Sequence, residues 1–364
     1  MKSSSLETEE KPQGCLLIGC PRSGTFLLMA ILEQCFDMAT PLETHFIPYF
    51  ERYKYLWGDL SRREARARML DAIYDFLDIW TPRMIVNGDM ALAHRFSLAS
   101  TSEKYEEILD HSVDYSSIVQ AMMAVYCEQH GKSDWVEKSA FFKHINMSFA
   151  DLVLPQARIL HIVRDGRDCA LSWMNTWAKP GTLEEAASLW GEHVREKSKW
   201  VEQNQSRALE VRYEDLIRSP HTVLSEIGIF LGKEPINLDP DLTDSAYAEV
   251  LSRLSSHKMV AGRIRSGNSQ KYKEIMALQE QEAFSSIAGN MLNHFGYSQN
   301  VNPVEPSPAR KISVILRGFF GSNAYRRMMK ANLPLFIRVA QLFGMRLSLL
   351  INRTGTARDW KNRI

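Results

Sequence analysis

The sequence predicts an α/β protein with a P-loop-type three-layer fold. A central parallel sheet is flanked by helices, and a helical basic extension follows at the C-terminus. Three observations carry this expectation. Short apolar runs of buried-strand type alternate with longer stretches of helical pattern, as in sheets covered on both faces. Two of those runs lead straight into glycine- or charge-rich turns. And the charge is divided: residues 308–364 hold twelve Lys or Arg and one acid, so the tail is +11 and the remainder −10, although the whole chain is +1.

The elements follow in order. Residues 1–13 are polar and acidic, a tail without the basic start and apolar run of a signal peptide. Cys15-Leu16-Leu17-Ile18 reads as a buried strand, the following Gly-rich turn as a connector, and Thr25–Phe36 as a buried helix. Residues 62–79, 115–129 and 183–203 are helical in pattern. Ala157–Val163 is a second strand; it runs into Arg164-Asp165-Gly166-Arg167-Asp168, with a helix expected from Cys169. Trp135-Val136-Glu137 and Leu209-Glu210-Val211 look like further short strands. Residues 300–308 are proline-rich and read as a linker, which places the main domain at 14–299 and the extension at 309–364.

An apolar fraction of 45% and a charged fraction of 24% are those of an ordinary soluble globular protein. The five cysteines, Cys15, Cys20, Cys35, Cys127 and Cys169, are scattered with no Cys-x-x-Cys pair. That points away from a zinc site or disulfide framework and toward a reducing, cytoplasmic setting. Arginines interrupt the most apolar stretch, so no membrane span is expected.

The first turn carries the chemistry. Gly19-Cys20-Pro21-Arg22-Ser23-Gly24-Thr25 has the two glycines of a nucleotide-triphosphate loop at the right interval. Such a loop turns backbone N–H groups inward and aims a helix N-terminus at an anion. The usual loop continues with Lys and then Ser or Thr, whose hydroxyl holds magnesium. Here those places are Thr25 and Phe26, and the positive charge stands inside the loop at Arg22. The reading is an anion site that works without a metal. The plain alternative is a Gly-Thr turn that only joins strand to helix.

Pro21-Arg22-Ser23-Gly24-Thr25-Phe26-Leu27 resembles the 5′-phosphosulfate loop of sulfotransferases that use 3′-phosphoadenosine-5′-phosphosulfate (PAPS). The family's second hallmark is an Arg after a central strand and a Ser eight positions later, and here Arg164 and Ser172 stand in that relation. The resemblance implies that Arg22, Ser23, Gly24, Thr25, Phe26 and Leu27 surround the 5′-phosphosulfate. It places Arg164 and Ser172 on the 3′-phosphate. Phe26 departs from the usual small hydroxyl residue, leaving only its backbone N–H for the phosphate. Three more segments are similar to the tyrosylprotein sulfotransferase branch and its bacterial relatives. The segment from Leu42 to Pro48 carries Glu43, 21 positions after Arg22, where that branch has its general base. Val136-Glu137-Lys138-Ser139 matches the turn with a catalytic Lys, and Tyr213-Glu214-Asp215-Leu216 the segment whose Tyr contacts the nucleotide. The family's last cofactor segment is poorly matched; residues 263–273, with Arg263 and Lys271, are the candidate, and Ser256 lies upstream.

The implied reaction is sulfuryl transfer from PAPS to a hydroxyl of a lipid, glycan or other small molecule, leaving 3′-phosphoadenosine-5′-phosphate (PAP). By analogy with phosphoryl transfer, positioning and electrostatics dominate. Arg22 and Lys138 would supply the cations and Glu43 the base. His45 is its rival, since an imidazole has a suitable pKa without tuning. The bland readings are a salt-bridge carboxylate for Glu43, a satisfied semi-buried His45, a solvated Lys138 paired with Glu137, and an Arg164 paired with Asp165 or Asp168. Trp57, Trp80, Trp173, Trp177, Phe46, Tyr49, Phe50, Phe141 and Phe142 could line an apolar cleft, though such residues are more often core. In the basic tail, apolar residues recur at helical spacing between arginines. It could lie on an anionic membrane surface as a peripheral anchor. It could instead dock on the acidic body of its own chain or of a second subunit in a homodimer. No nucleic-acid recognition motif accompanies the charge. Two other readings compete: a nucleotide kinase or NTPase with a degenerate loop, and a non-catalytic membrane-associated nucleotide-binding protein.

Overall fold

The computed structural model describes residues 14–41, 43–84, 102–138, 147–176, 180–238, 241–242, 245, 248, 264 and 267–297. The tail 1–13, the linker 300–308 and the extension 309–364 lie outside them, as do Ser256, Arg263, Phe141, Phe142 and Trp177. In chain order the main elements are β1 (Cys15–Gly19), α1 (Thr25–Phe36), α2 (Phe46–Tyr53), α3 (Arg63–Met84), α4 (Ser102–Asp110), α5 (Tyr115–Gln129), β2 (Val136–Lys138) and α6 (Ser148–Val153). Then come β3 (Arg158–Val163), α7 (Gly166–Met174), α8 (Leu183–Gln203), β4 (Ala208–Arg212), α9 (Tyr213–Arg218), α10 (Pro220–Leu231), α11 (Tyr272–Ile275) and α12 (Leu278–His294).

Among the described residues the strands form one four-stranded sheet in the order β2-β1-β3-β4, all neighbours parallel. Every residue of β1 is buried, as a central strand covered on both faces requires. Alternate side chains leave it on opposite faces. Leu16 and Ile18 join Phe46, Phe50, Met69, Ile118 and Met122 in one core, under α2, α3 and α5. Cys15 and Leu17 join Leu28, Leu32, Leu160, Leu216 and Leu224 in another, under α1, α9 and α10. A third cluster, with Val163, Cys169, Trp190 and Phe284, packs α7, α8 and α12 together at the end of β3. Helix, sheet, helix is the expected layering.

The predicted helices 115–129 and 183–203 have their expected ends, and each has a side-chain cap. Asp114 and Ser117 close a capping box on α5, and the Thr182 hydroxyl accepts from Glu185 N–H at 3.2 Å on α8. The helix after β3 starts three residues before Cys169, at Gly166. The reason is local: Asp165 is its N-cap and accepts from the Arg167 N–H at 2.9 Å. Of the aromatic residues considered for a cleft, Phe46, Phe50 and Trp57 are core. Tyr49 and Trp173 are half-buried against core clusters.

The topology fixes where a ligand can sit. The chain leaves β1 toward one edge of the sheet and leaves β3 toward the other, so a crevice opens between their carboxyl ends. The loop 20–24 and the turn Arg164–Asp165 flank that crevice. Trp190 closes it from below: its indole N–H donates to the Arg164 carbonyl at 3.1 Å. Gly166 makes this approach possible, because a Cβ there would stand 2.4 Å from Trp190 Cδ2. Gly166→Ala is expected to cost about 1–3 kcal/mol by overpacking, read as a lower midpoint in urea unfolding.

Candidate active site

The site is built from residues far apart in the chain. After β1 the backbone turns sharply: Arg22 has φ 72° and Gly24 φ 100°. A non-glycine residue in the left-handed region is strained by ~1–3 kcal/mol, and such strain clusters at functional sites. Ser23 N–H donates to the Cys20 carbonyl at 3.0 Å and closes the turn. Gly24 is needed twice, for its φ and for space, since a Cβ would lie 2.5 Å from the Tyr213 ring. Helix α1 then starts at Thr25 with no side chain capping its N-terminal N–H groups. Leu27 is half-buried in the first turn of α1, against the core it shares with α9 and α10.

The two motifs read from the sequence meet here. Arg22 Nε donates to Ser172 Oγ at 2.9 Å, across a separation of 150 residues. Arg164 Nη1 donates to the Arg22 carbonyl at 3.4 Å, and the Arg164 guanidinium lies over the Tyr213 ring, 4.4 Å from its centroid. Arg164 has Asp168 at 3.8 Å, so part of its bland reading holds; Asp165 is instead taken by Arg167, at 2.7 Å. Burial, then the neighbouring Arg164, lower the pKa of Arg22, while Glu43 raises it. Burial raises the Tyr213 pKa, so its hydroxyl stays protonated, and that hydroxyl oxygen accepts from Asn268 Nδ2 at 2.7 Å.

The second half of the site comes from the edge of the sheet. The backbone at Ala39 runs parallel to Trp135 just ahead of β2, so Glu43, Thr44 and His45 reach the far end of that strand. Thr44 Oγ1 donates to Glu137 Oε1 at 2.6 Å and pins the segment. Lys138 Nζ stands 3.1 Å from Glu43 Oε1 and 3.4 Å from the centroid of the Phe26 ring. Lys138 is only 3% exposed, so the bland reading of a solvated lysine paired with Glu137 gives way to a buried one paired with Glu43. Burial lowers its pKa, and Glu43 opposes that shift.

Phe26 thus has a place that the loop motif alone does not reveal. Its ring gives a buried ammonium an electron-rich face, an interaction of ~2 kcal/mol when desolvated. His45 Nε2 lies 3.4 Å from Glu43 Oε1, with its own backbone at φ 57°. Burial lowers its pKa to about 4, against Glu43, which raises it. At neutral pH this imidazole is uncharged.

Of the last cofactor segment, Lys271 is exposed at the start of α11. The residue that meets the site is Asn268, whose carbonyl accepts from Arg164 Nη2 at 2.8 Å. The sequence gives no sign of a role for Asn268, and for Asp168 none beyond a pairing with Arg164. An Asn preceded by Gly267 is a turn signal without a chemical one, and Asp168 is one of several acids near Arg164.

The donors suit a ligand with two anionic ends. Ser23 Oγ and Arg164 Nε are buried with no hydrogen-bond partner among the described residues. Buried polar groups in this state match the oxygens of a bound anion. Ser23 adjoins Arg22 at the uncapped start of α1, and Arg164 donates to the Arg22 carbonyl.

Fold and site together define an α/β protein with a cluster of buried cationic and hydroxyl donors at the switch point of its sheet. Residues 15–236 match the model of the sulfotransferase family, and the chain belongs to that family. It is a sulfotransferase. No curated protein matches it in sequence. Among solved structures it is similar to the sulfotransferase domain of the Synechococcus PCC 7002 olefin synthase, at 21% identity and a TM-score of 0.50, over 79% of this chain and 95% of that one. The sulfotransferase domain from the curacin biosynthetic pathway aligns at 16% identity and a TM-score of 0.49, over 79% and 99%. Retinol dehydratase in complex with androsterone and the inactive cofactor PAP aligns at 14% identity and a TM-score of 0.38, over 82% and 84%. At these identities the likeness concerns the fold alone.

The depressed His45 pKa has a sign. The unfolded chain takes up a proton below about 6.5, the folded one only near 4. Stability from this residue is full above pH 6.5 and falls as pH drops toward 4, by at most ~1.4 kcal/mol per pH unit. His45→Gln should flatten the loss of stability between pH 7 and 5, measured by urea unfolding at each pH.

Proposed function

We propose that this sulfotransferase moves a sulfuryl group from PAPS to the hydroxyl of a small-molecule, lipid or glycan acceptor, with Glu43 as the base. The observation that carries the reading is the meeting of Arg22 with Ser172 at 2.9 Å, beside Arg164 and within the electrostatic reach of Glu43. When bound, PAPS supplies an activated sulfuryl group on a phosphate leaving group. Arg22, Ser23 and the N–H groups of Thr25, Phe26 and Leu27 would hold its 5′ end, as an uncapped helix start does for anions. Arg164 and Ser172 would hold the 3′-phosphate, with Tyr213 packed beneath the guanidinium. Lys138 would balance the charge that grows on the leaving and sulfuryl oxygens. Its buried position makes that charge count for more than it would in water.

Glu43 would take the acceptor proton, a step that contributes typically ~10²–10⁴-fold. Its carboxylate lies between Lys138 and His45, close enough to each that both orient it. Burial lowers the His45 pKa to about 4 and so makes its imidazole a weaker base than a free one. At 3.4 Å from Glu43 Oε1 it is read as a partner that positions the carboxylate.

Titration calorimetry with PAP tests the donor: binding with micromolar affinity is expected, and none at millimolar concentration would sink the reading. Arg22→Ala and Arg164→Ala should each weaken PAP binding by at least ~100-fold, the scale of losing a charged hydrogen-bond donor to phosphate. A magnesium-dependent turnover of a nucleoside triphosphate would instead favour a kinase. Glu43→Gln should lower kcat by ~10²–10⁴-fold and leave PAP affinity within a few-fold. If His45→Gln costs more turnover than Glu43→Gln, the base is misassigned. Phe26→Leu removes the ring beside Lys138 and should lower kcat by ~5–30-fold, measured in steady-state assays with labelled PAPS.

A further inference from the structure

We propose that Asp168 is a positioning residue that clasps the turn 267–272 over the anion site and thereby holds Arg164 ready for its ligand. The carboxylate is buried in the first turn of α7, with its residue 3% exposed. Each oxygen accepts one backbone N–H from across the fold. Gln270 N–H donates to Oδ2 at 2.7 Å, and Tyr272 N–H donates to Oδ1 at 3.0 Å. These bonds reach over more than 100 residues of chain. The turn so anchored brings the Asn268 carbonyl to Arg164 Nη2 and the Asn268 side chain to the Tyr213 hydroxyl. Tyr213 in turn packs against Gly24 of the loop. One carboxylate therefore reaches both motifs through a segment that is not part of either.

Two features show that the turn is held rather than relaxed. Gln270 is exposed and has φ 59°, a left-handed conformation that a non-glycine residue avoids without compensation. The compensation is the N–H bond to Asp168. On the far side, the Arg167 guanidinium lies 3.8 Å from the centroid of the Tyr272 ring, while its Nε and Nη2 bind Asp165. The start of α7 thus grips the segment at two consecutive points, and the grip sets the direction of Arg164. A guanidinium fixed in advance loses less freedom when it meets a phosphate.

The test uses the full chain and two variants that break the clasp from opposite sides. Asp168→Asn keeps the shape, replaces one acceptor oxygen by an amide NH₂ and removes the charge 3.8 Å from Arg164 Nη2. Gln270→Pro removes the Gln270 N–H donor and leaves Asp168 intact. Because proline holds φ at about −65° against the 59° of Gln270, it also breaks the left-handed turn. It therefore opens the clasp from the other side even where the buried variant folds poorly. Both should raise hydrogen exchange in 267–276 without nucleotide, and both should weaken PAP binding by about 10–100-fold, the scale of a hydrogen bond to a charged group. Asp168→Asn combined with Gln270→Gly should recover about fivefold of that loss, because glycine adopts the left-handed turn unaided. Wild-type PAP affinity in both variants would overturn the proposal. So would exchange that rises over the whole sheet in Gln270→Pro, or a double variant no tighter than Asp168→Asn. The PAP arm rests on the donor reading above, whereas the exchange arm does not. A wild-type protein that ignores PAP would remove the donor and leave exchange to decide the clasp.

Discussion

The parallel pairing of β1 with β3 is the constraint on which the site depends. Gly19 stands opposite Ile162, so the two strands end within a residue or two of each other. Both strands are buried on both faces, and slipping one against the other would move apolar side chains out of two cores at once. The register is therefore held by packing on each side of the sheet. Its consequence is chemical: Arg22 leaves the end of β1 and Arg164 the end of β3 into the same crevice. Burial lowers the Arg22 pKa, and the repulsion of the neighbouring Arg164 guanidinium lowers it further.

Bringing like charges together requires partners, and the structure supplies one of a different kind to each. Arg22 has the Ser172 hydroxyl, Arg164 the Tyr213 ring and the Asn268 carbonyl, and Lys138 the Glu43 carboxylate and the Phe26 ring. Arg22 donates to the neutral Ser172 hydroxyl and Arg164 to two backbone carbonyls, with Asp168 a more distant counter-charge 3.8 Å from Arg164 Nη2. Lys138 is the exception, since Glu43 is a counter-charge in direct contact. That pair joins the cation to the proposed base, so the two proposed roles share a single contact.

The strands were legible as short apolar runs, and α1, α5 and α8 as helices bounded by turn or capping residues. Helix α10 is not among the helices expected from the sequence pattern, although it has Pro220 in its first turn and a left-handed Gly232 at its end, the usual pair of boundary signals. The sequence pattern puts the start of α7 at Cys169, too late, because Gly166, Arg167 and Asp168 read as polar loop. Only the Asp165 cap shows that they are already helical. Lys138 and Glu43 could be named from motif spacing, but not their contact, because the segment 39–45 reaches β2 through a backbone bridge that leaves no periodic trace. Phe26 read as a lost hydroxyl; in the fold its ring meets the buried ammonium.

What the sequence by itself determined is the set of local decisions: buried strands, the glycine-bearing loop, the arginine inside it, and the family to which those motifs belong. These depend on side-chain size, polarity and backbone φ within a few residues, and such properties are written along the chain. Which carboxylate serves which cation was decided only by tertiary structure. Asp165 binds Arg167, Asp168 binds the backbone of the turn after Gly267, and Glu43 rather than Glu137 binds Lys138. All four acids carry the same charge and lie near several bases in sequence. Their partners follow from distance and burial after folding, when the loss of water makes each buried charge dependent on the few groups that still touch it.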